Sequence, residues 1–185
     1  MKEEQNPWIV KKNEAVYESP WIRVERNEVI NPAGNEGIYS VVHFKNLAIG
    51  IIPLDEDFNI WLVGQFRFPI GSYSWEIPEG GGKLDTSPIE SARRELLEET
   101  GIRAVDFKEL MRLHLSNSAT DELAIVFLAR KLSFENPTPE ETEILQVKKV
   151  HLKEAYELCN QGLITDAISV ASILKLYLLY KEGKI

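Results

Sequence analysis

The sequence is short of the residues that staple small folds together. Its single cysteine, Cys159, excludes a disulfide within the chain and fits a reducing compartment. Set inside an apolar helical pattern, Cys159 reads as a small core residue. The three histidines, His43, His114 and His151, stand 71 and 37 residues apart, which is no metal-finger spacing, and none is given a role. Long hydrophobic runs are missing too. The apolar stretch near the C-terminus is interrupted by Lys175 and is too short to cross a bilayer, and the N-terminal stretch lacks the apolar core of a signal peptide. A cytoplasmic location with no membrane partner is the expectation. Basic residues are outnumbered: 21 Lys and Arg against 29 Asp and Glu give a net charge of −8. That field repels a phosphate backbone, so nucleic acid is not an expected partner. Neither G-x-x-x-x-G-K-[S/T] nor G-x-G-x-x-G at a helix start occurs, which removes the P-loop and the dinucleotide fingerprint.

What is present is the composition of a folded chain. With 44% apolar residues over 185 positions, there is enough side chain for a substantial core in one domain, or in one domain with an appendage. Trp21–Ile30 and Gly37–Phe44 flank the turn signal 31–35 and predict a hairpin. Leu47–Leu54 is a continuous apolar run, as in a strand covered on both faces. Asp55-Glu56-Asp57 turns the chain into a further strand, Asn59–Phe66. A short strand at Trp75-Glu76-Ile77 leads to Gly80-Gly81-Gly82, read as a glycine-rich loop. Ser87 as cap, Pro88 in the first turn, Glu90 as the capping-box partner and Gly101 as the stop predict a helix over Pro88–Thr100. Strands at Leu110–Leu115 and Leu123–Ala129 follow, then a polar loop at Ser133–Thr142 and a strand near Leu145–Val150. Helices at Leu152–Asn160 and Asp166–Tyr180 close the chain, the second with an apolar stripe of Ile168, Ala171, Ser172, Leu174, Tyr177 and Leu178. Strands interleaved with helices indicate an α/β or α+β layered domain.

The chemistry gathers on the helix at 88–100. Glu95, Glu98 and Glu99 lie three and four residues apart, on one helix face. Like charges so close, near the negative end of the macrodipole, destabilise an isolated helix. A hard divalent cation gives a reason to collect them, because Mg²⁺ takes oxygen ligands from carboxylates together with substrate phosphates. The competing reading is a solvated face neutralised by Arg93 and Arg94.

Gly80, followed by Arg94-Glu95-Leu96-Leu97-Glu98-Glu99-Thr100-Gly101-Ile102, resembles the Nudix box: Gly, five residues, Glu, seven residues, then Arg-Glu-apolar-x-Glu-Glu-x-Gly-apolar. Thr86 stands where the box has its isolated Glu, a departure that concerns local packing more than metal ligands. The stretches Val63–Pro69, Trp75–Gly80, Asp121-Glu122 with Phe127-Leu128-Ala129, and Gly162–Ala167 are similar to the branch of that family that cleaves ADP-ribose and other nucleoside diphosphate sugars. The resemblance covers about residues 40–180. Residues 116–119, Ser-Asn-Ser-Ala, lack the proline of the ADP-ribose-directed turn, which leaves a broader or GDP-mannose-type preference open.

The resemblance implies a Nudix-type α/β/α sandwich with a mixed β-sheet in residues 46–185, and an N-terminal β extension, residues 1–45, that dimerises. It implies Mg²⁺, or Mn²⁺, and hydrolysis of a nucleoside diphosphate sugar to a nucleoside monophosphate and a sugar phosphate. Glu95 and Glu99 are the implied direct ligands, supported by Glu98 and the carbonyl of Glu79. The base comes from a late loop: Glu140 or Glu141, with Glu143 near a metal. Arg67 and Glu122 are implied substrate contacts, and Glu76 either joins that shell or pairs with an arginine. Phe66, Phe68 and Trp75 stack a base or belong to the core, and Arg94 pairs with a carboxylate. Trp8, Tyr17 and Trp21 put more apolar surface on the N-terminal strands than a free arm carries, which favours a homodimer. Two rival functions remain: hydrolysis of a dinucleotide or damaged nucleotide, and a non-catalytic module that binds nucleotide sugars.

Overall fold

A computed structural model of the chain describes residues 5–135 and 144–185. Two units emerge: the segment up to Asn46 together with Ser116–Glu122, and Leu47–Leu115 with Leu123–Ile185.

The first unit is an antiparallel sheet in the order β1 (Ile9–Glu18), β2 (Ile22–Ile30), β3 (Glu36–Phe44). The expected hairpin is β2 with β3, in register from Ile22↔Phe44 to Ile30↔Glu36. β1, to which the sequence reading gives no bounds within the N-terminal β extension, adds to β2 through two irregularities in register and is exposed along its whole length. Segment 116–121 attaches to β3. The Val42 amide donates to the Ala119 carbonyl (2.9 Å), and the Tyr39 hydroxyl donates to the Ser118 carbonyl (2.6 Å). His43 Nδ1 lies 2.7 Å from the Asp121 carboxylate, whose other oxygen accepts from the Phe44 amide (2.9 Å).

The second unit contains two sheets: β10 (Gln146–His151), β5 (Asn59–Arg67) and β6 (Ser72–Glu76) in one; β7 (Glu79–Lys83), β4 (Asn46–Pro53), β9 (Leu123–Phe134) and β8 (Ile102–His114) in the other. β4 pairs in parallel with β9, while β9 pairs antiparallel with β8, so the sheet is mixed. Alternate side chains of the central strands enter two different cores. Ile49, Ile51, Ile125 and Phe127 pack with Ala92 and Leu96 of α1 (Pro88–Thr100). Ile52, Leu54, Val126 and Leu128 pack with Leu152 and Ala155 of α2 (Leu152–Asn160) and Ile173 and Leu176 of α3 (Ala167–Lys181). Helices on both faces make this unit an α/β/α sandwich.

Several expectations need correction. Gly80–Gly82 lie within strand β7 rather than in a loop. Ser87 is the N-cap residue of α1, but its side chain makes no capping hydrogen bond. Glu90 instead turns to Arg93 (3.6 Å), so no capping box forms. Pro88 and left-handed Gly101 (φ 69°) bound the helix as read, Gly101 closing it with a 2.8 Å hydrogen bond to Leu97. β8 begins eight residues earlier than expected, because an edge strand tolerates the exposed Asp106, Lys108 and Glu109. β9 continues through Ser133 and Phe134, where a loop was expected. On α3 the buried face is Ile168, Ser169, Ser172, Ile173 and Leu176, and Leu178 is exposed. Cys159 is half-buried against the α2–α3 core, and burial pushes its thiol up to about 11, in keeping with an inert packing residue.

Candidate active site

The site is assembled where α1 crosses β7. Ser91, Glu95 and Glu99 form the line of α1 turned inward beside Ala92 and Leu96, so two of the three box carboxylates are buried, at 8% and 2% exposure. Gly80 explains how Glu95 fits. A Cβ built there would run into the Glu95 carboxylate, so glycine leaves open the space that this carboxylate occupies. Glu99 Oε2 accepts the Glu79 backbone N–H at 3.0 Å, tying the helix to the start of β7. Arg94 binds Glu95 (2.5 Å), Glu98 (2.6 Å) and the Gly81 carbonyl (3.0 Å), the carboxylate pairing expected for it.

A second layer comes from β5 and β6. Val63 pairs with Glu76 and Arg67 with Ser72 across that hairpin, which sets Arg67 and Glu76 on one face. Arg67 donates to both oxygens of Glu76 (2.5–3.1 Å) and to Glu79 Oε1 (2.8 Å). Glu76 is buried at 3% exposure, and its pairing with arginine is thereby decided. Burial acts to lower the Arg67 guanidinium, but Glu76, Glu79 and Glu99 outweigh it and hold its pKa above the ordinary value. The Glu79 carboxyl is pushed well above its ordinary range, first by burial and then by the charges of Asp166, Glu76 and Glu99, with Arg67 opposing them. Its Oε2 is buried without a hydrogen-bond partner among the described residues.

The structure thus gathers Glu76, Glu79, Glu95, Glu98, Glu99 and Arg67 from the residues named in the sequence, and adds Asp166. Glu122 lies in the other unit, half-buried. Glu140, Glu141 and Glu143 lie outside the described residues. Phe66 and Phe68 are exposed, at 63% and 91%, whereas Trp75 packs on the α2–α3 core. Thr86 is exposed, its hydroxyl donating to the neighbouring Asp85 carboxylate (3.4 Å). Asp166 and Ser169 were missed. The available signal was a helix-capping Asp followed three residues later by a serine on the apolar face.

Fold and site define the class: a sandwich whose helix carries inward-facing carboxylates against a glycine strand. A crystal structure of an ADP compounds hydrolase superposes over all of both chains with a TM-score of 0.86 at 22% identity, a likeness of fold. The NUDIX domain model matches residues 44–168, and the model of a nucleoside diphosphate sugar hydrolase N-terminal domain matches residues 8–42. An ADP-ribose pyrophosphatase of Bacillus subtilis (strain 168) is 33% identical over 138 residues, 74% of each chain. An ADP-ribose pyrophosphatase of Mycobacterium tuberculosis (strain ATCC 25618 / H37Rv) is 30% identical over 172 residues, 89% of this chain and 81% of its own. The chain belongs to the Nudix hydrolase family. Nudix hydrolases generally use divalent metal ions.

Whether these residues suit such an ion can be judged from their charges. Two arginines, Arg67 and Arg94, stand against the carboxylates of Glu76, Glu79, Glu95, Glu98, Glu99 and Asp166. Among the described residues no three His, Cys, Asp or Glu side chains are already arranged to hold an ion. The donors are nevertheless all hard oxygens, in excess of positive charge, with a buried unpartnered oxygen on Glu79. That chemistry fits a divalent cation such as Mg²⁺. Among the described residues no helix is long and apolar enough to cross a membrane.

Proposed function

We propose that the chain hydrolyses the diphosphate of nucleoside diphosphate sugars, with ADP-ribose and GDP-mannose as the substrates to try first. The products are a nucleoside monophosphate and a sugar phosphate. The observation that carries the reading is the excess of buried carboxylate over arginine where α1 meets β7. Nothing in local stability accounts for that excess, and a cation with a diphosphate does. The names of the relatives, ADP-ribose pyrophosphatase in two organisms, support the substrate class.

In this reading Glu95, Glu98, Glu99 and the Glu79 carbonyl hold Mg²⁺, with Mn²⁺ as a substitute. The bound metal neutralises phosphate oxygens and lowers the pKa of a water. Arg67, braced by Glu76 and Glu79 yet one-third exposed, offers its guanidinium to the diphosphate. Glu122 contacts substrate. Glu140 or Glu141 takes the proton of the attacking water, and Glu143 lies near the metal. The enzyme works in the cytoplasm as a homodimer formed through the N-terminal sheet.

Release of monophosphate from ADP-ribose, GDP-mannose and UDP-sugars, with Mg²⁺ or with EDTA, tests the reading. Turnover of at least one substrate with Mg²⁺ and none with EDTA is expected. No Mg²⁺-dependent release from any of them sinks it and favours a binding module. Glu99→Gln keeps an oxygen for the Glu79 amide but loses the charge, so it should abolish turnover in a folded protein. Full activity in that variant removes Glu99 from the ligand set.

A further inference from the structure

Between β6 and β7 the chain leaves both ladders at Ile77-Pro78, the residues that deliver Glu79 to the site. A buried backbone segment must have its polar groups paired, and here the partners come from opposite layers of the sandwich. The Ile77 amide donates to Ser169 Oγ of α3, 92 residues away, at 2.9 Å in a fully buried setting. Pro78 has no amide to satisfy, and its carbonyl accepts from Ile51 of β4 at 2.8 Å. The Glu79 amide donates to Glu99 of α1. Ser169 is itself anchored, since its backbone amide donates to Asp166, the N-cap of α3, at 2.7 Å.

We propose that Ser169 is a positioning residue: with Asp166 it forms a strut from α3 that sets the Ile77–Glu79 crossing, and through it the Glu79 carbonyl and the bond to Glu99. The strut gives a use to Asp166, the charged residue in the 162–167 stretch, which the proposed chemistry otherwise leaves idle. It also makes α3, remote in sequence from the box, part of the metal site. The inference rests on the reading that Glu79 and Glu99 serve a metal.

The test compares Ser169→Ala with Ser172→Ala. Ser172 is equally buried on the same helix face, but its hydroxyl donates only to the Ser169 carbonyl (3.2 Å), so its loss spares the Ile77 amide. Calorimetric titration with Mn²⁺ and amide exchange at Glu79 are the two readouts. Ser169→Ala should weaken Mn²⁺ binding on the order of tenfold, the loss common for an outer partner of a metal ligand, and speed exchange at Glu79. Ser172→Ala should leave both unchanged even where it costs similar thermal stability. If Ser169→Ala does not fold, Ser169→Cys keeps the side-chain shape with a somewhat larger, weak acceptor and should give the same pattern. Unchanged Mn²⁺ affinity and unchanged Glu79 exchange in a folded Ser169 variant overturn the strut. Should the wild-type protein not bind Mn²⁺, the metal reading fails, and exchange at Glu79 alone then decides the strut.

Discussion

The two units use similar apolar residues to opposite ends. In the second, Ile49, Ile51 and Ile52 are fully buried, because helices cover both faces of the strands that carry them. In the first, among the described residues, only strands are present, and Ile9, Val10, Val16 and Tyr17 are each more than half exposed. One unit closes its core from within. The other leaves these apolar side chains exposed along β1. A second copy of the chain is the proposed cover. Apolar content therefore says less about folding than whether a second layer exists to receive it.

That contrast can be broken most forcefully at Leu96, fully buried between α1 and the sheet. Leu96→Ala should lower stability by about 2–5 kcal/mol in urea denaturation. Val16→Ser combined with Trp21→Ser should change monomer stability by only about 0.5 kcal/mol each, yet shift light scattering from dimer to monomer. A dimer that survives both substitutions removes this face from the interface.

Glycine substitutions sharpen the same comparison at a smaller scale. A Cβ at Gly80 meets the Glu95 carboxylate, whereas one at Gly37 of β3 meets nothing within 4 Å. Gly80→Ala should weaken Mn²⁺ binding by roughly 10- to 100-fold and depress turnover with it. Gly37→Ala should be neutral, or stabilising by about 0.5–1 kcal/mol. Equal effects at the two positions would deny Gly80 its role.

The smallest effect concerns Glu79. Its folded carboxyl is raised above the unfolded value of about 4.3, so its contribution to stability is full below that pH. The contribution is lost as pH rises through the folded value. In EDTA, the urea midpoint of the wild-type protein should fall as pH rises above that unfolded value, and that of Glu79→Gln should fall less. Parallel curves would remove Glu79 as the titrating group.

Where local chemistry decides an element, the sequence showed it. Pro88 and Gly101 bound α1 to the residue, and the unbroken apolar run around Ile49–Ile52 foretold a strand with two cores. Where tertiary contact decides, it did not. Nothing local makes Gly80–Gly82 a strand, since glycine is a poor strand former and the pairing with β4 supplies the reason. β1 carries Lys11, Lys12, Asn13 and Glu14 in its middle and exists through its ladder with β2. At the site, the carboxylates of α1 were legible because helix spacing sets their face. The Glu76–Arg67 pair was legible only as one of two alternatives, and the local capping signal at Ser169 could not disclose its partner Ile77, which lies 92 residues away.

The attachment of Ser116–Glu122 to β3 bears on how such chains can be recombined. The N-terminal unit is not one uninterrupted stretch of sequence. Tyr39, Val42, His43 and Phe44 all have partners in a piece that arrives some 75 residues later. A chimera that exchanges only the first 45 residues with a relative would graft a sheet whose third strand has lost its mate. A transplant that keeps these bonds has to carry both pieces, as a matched pair of segments.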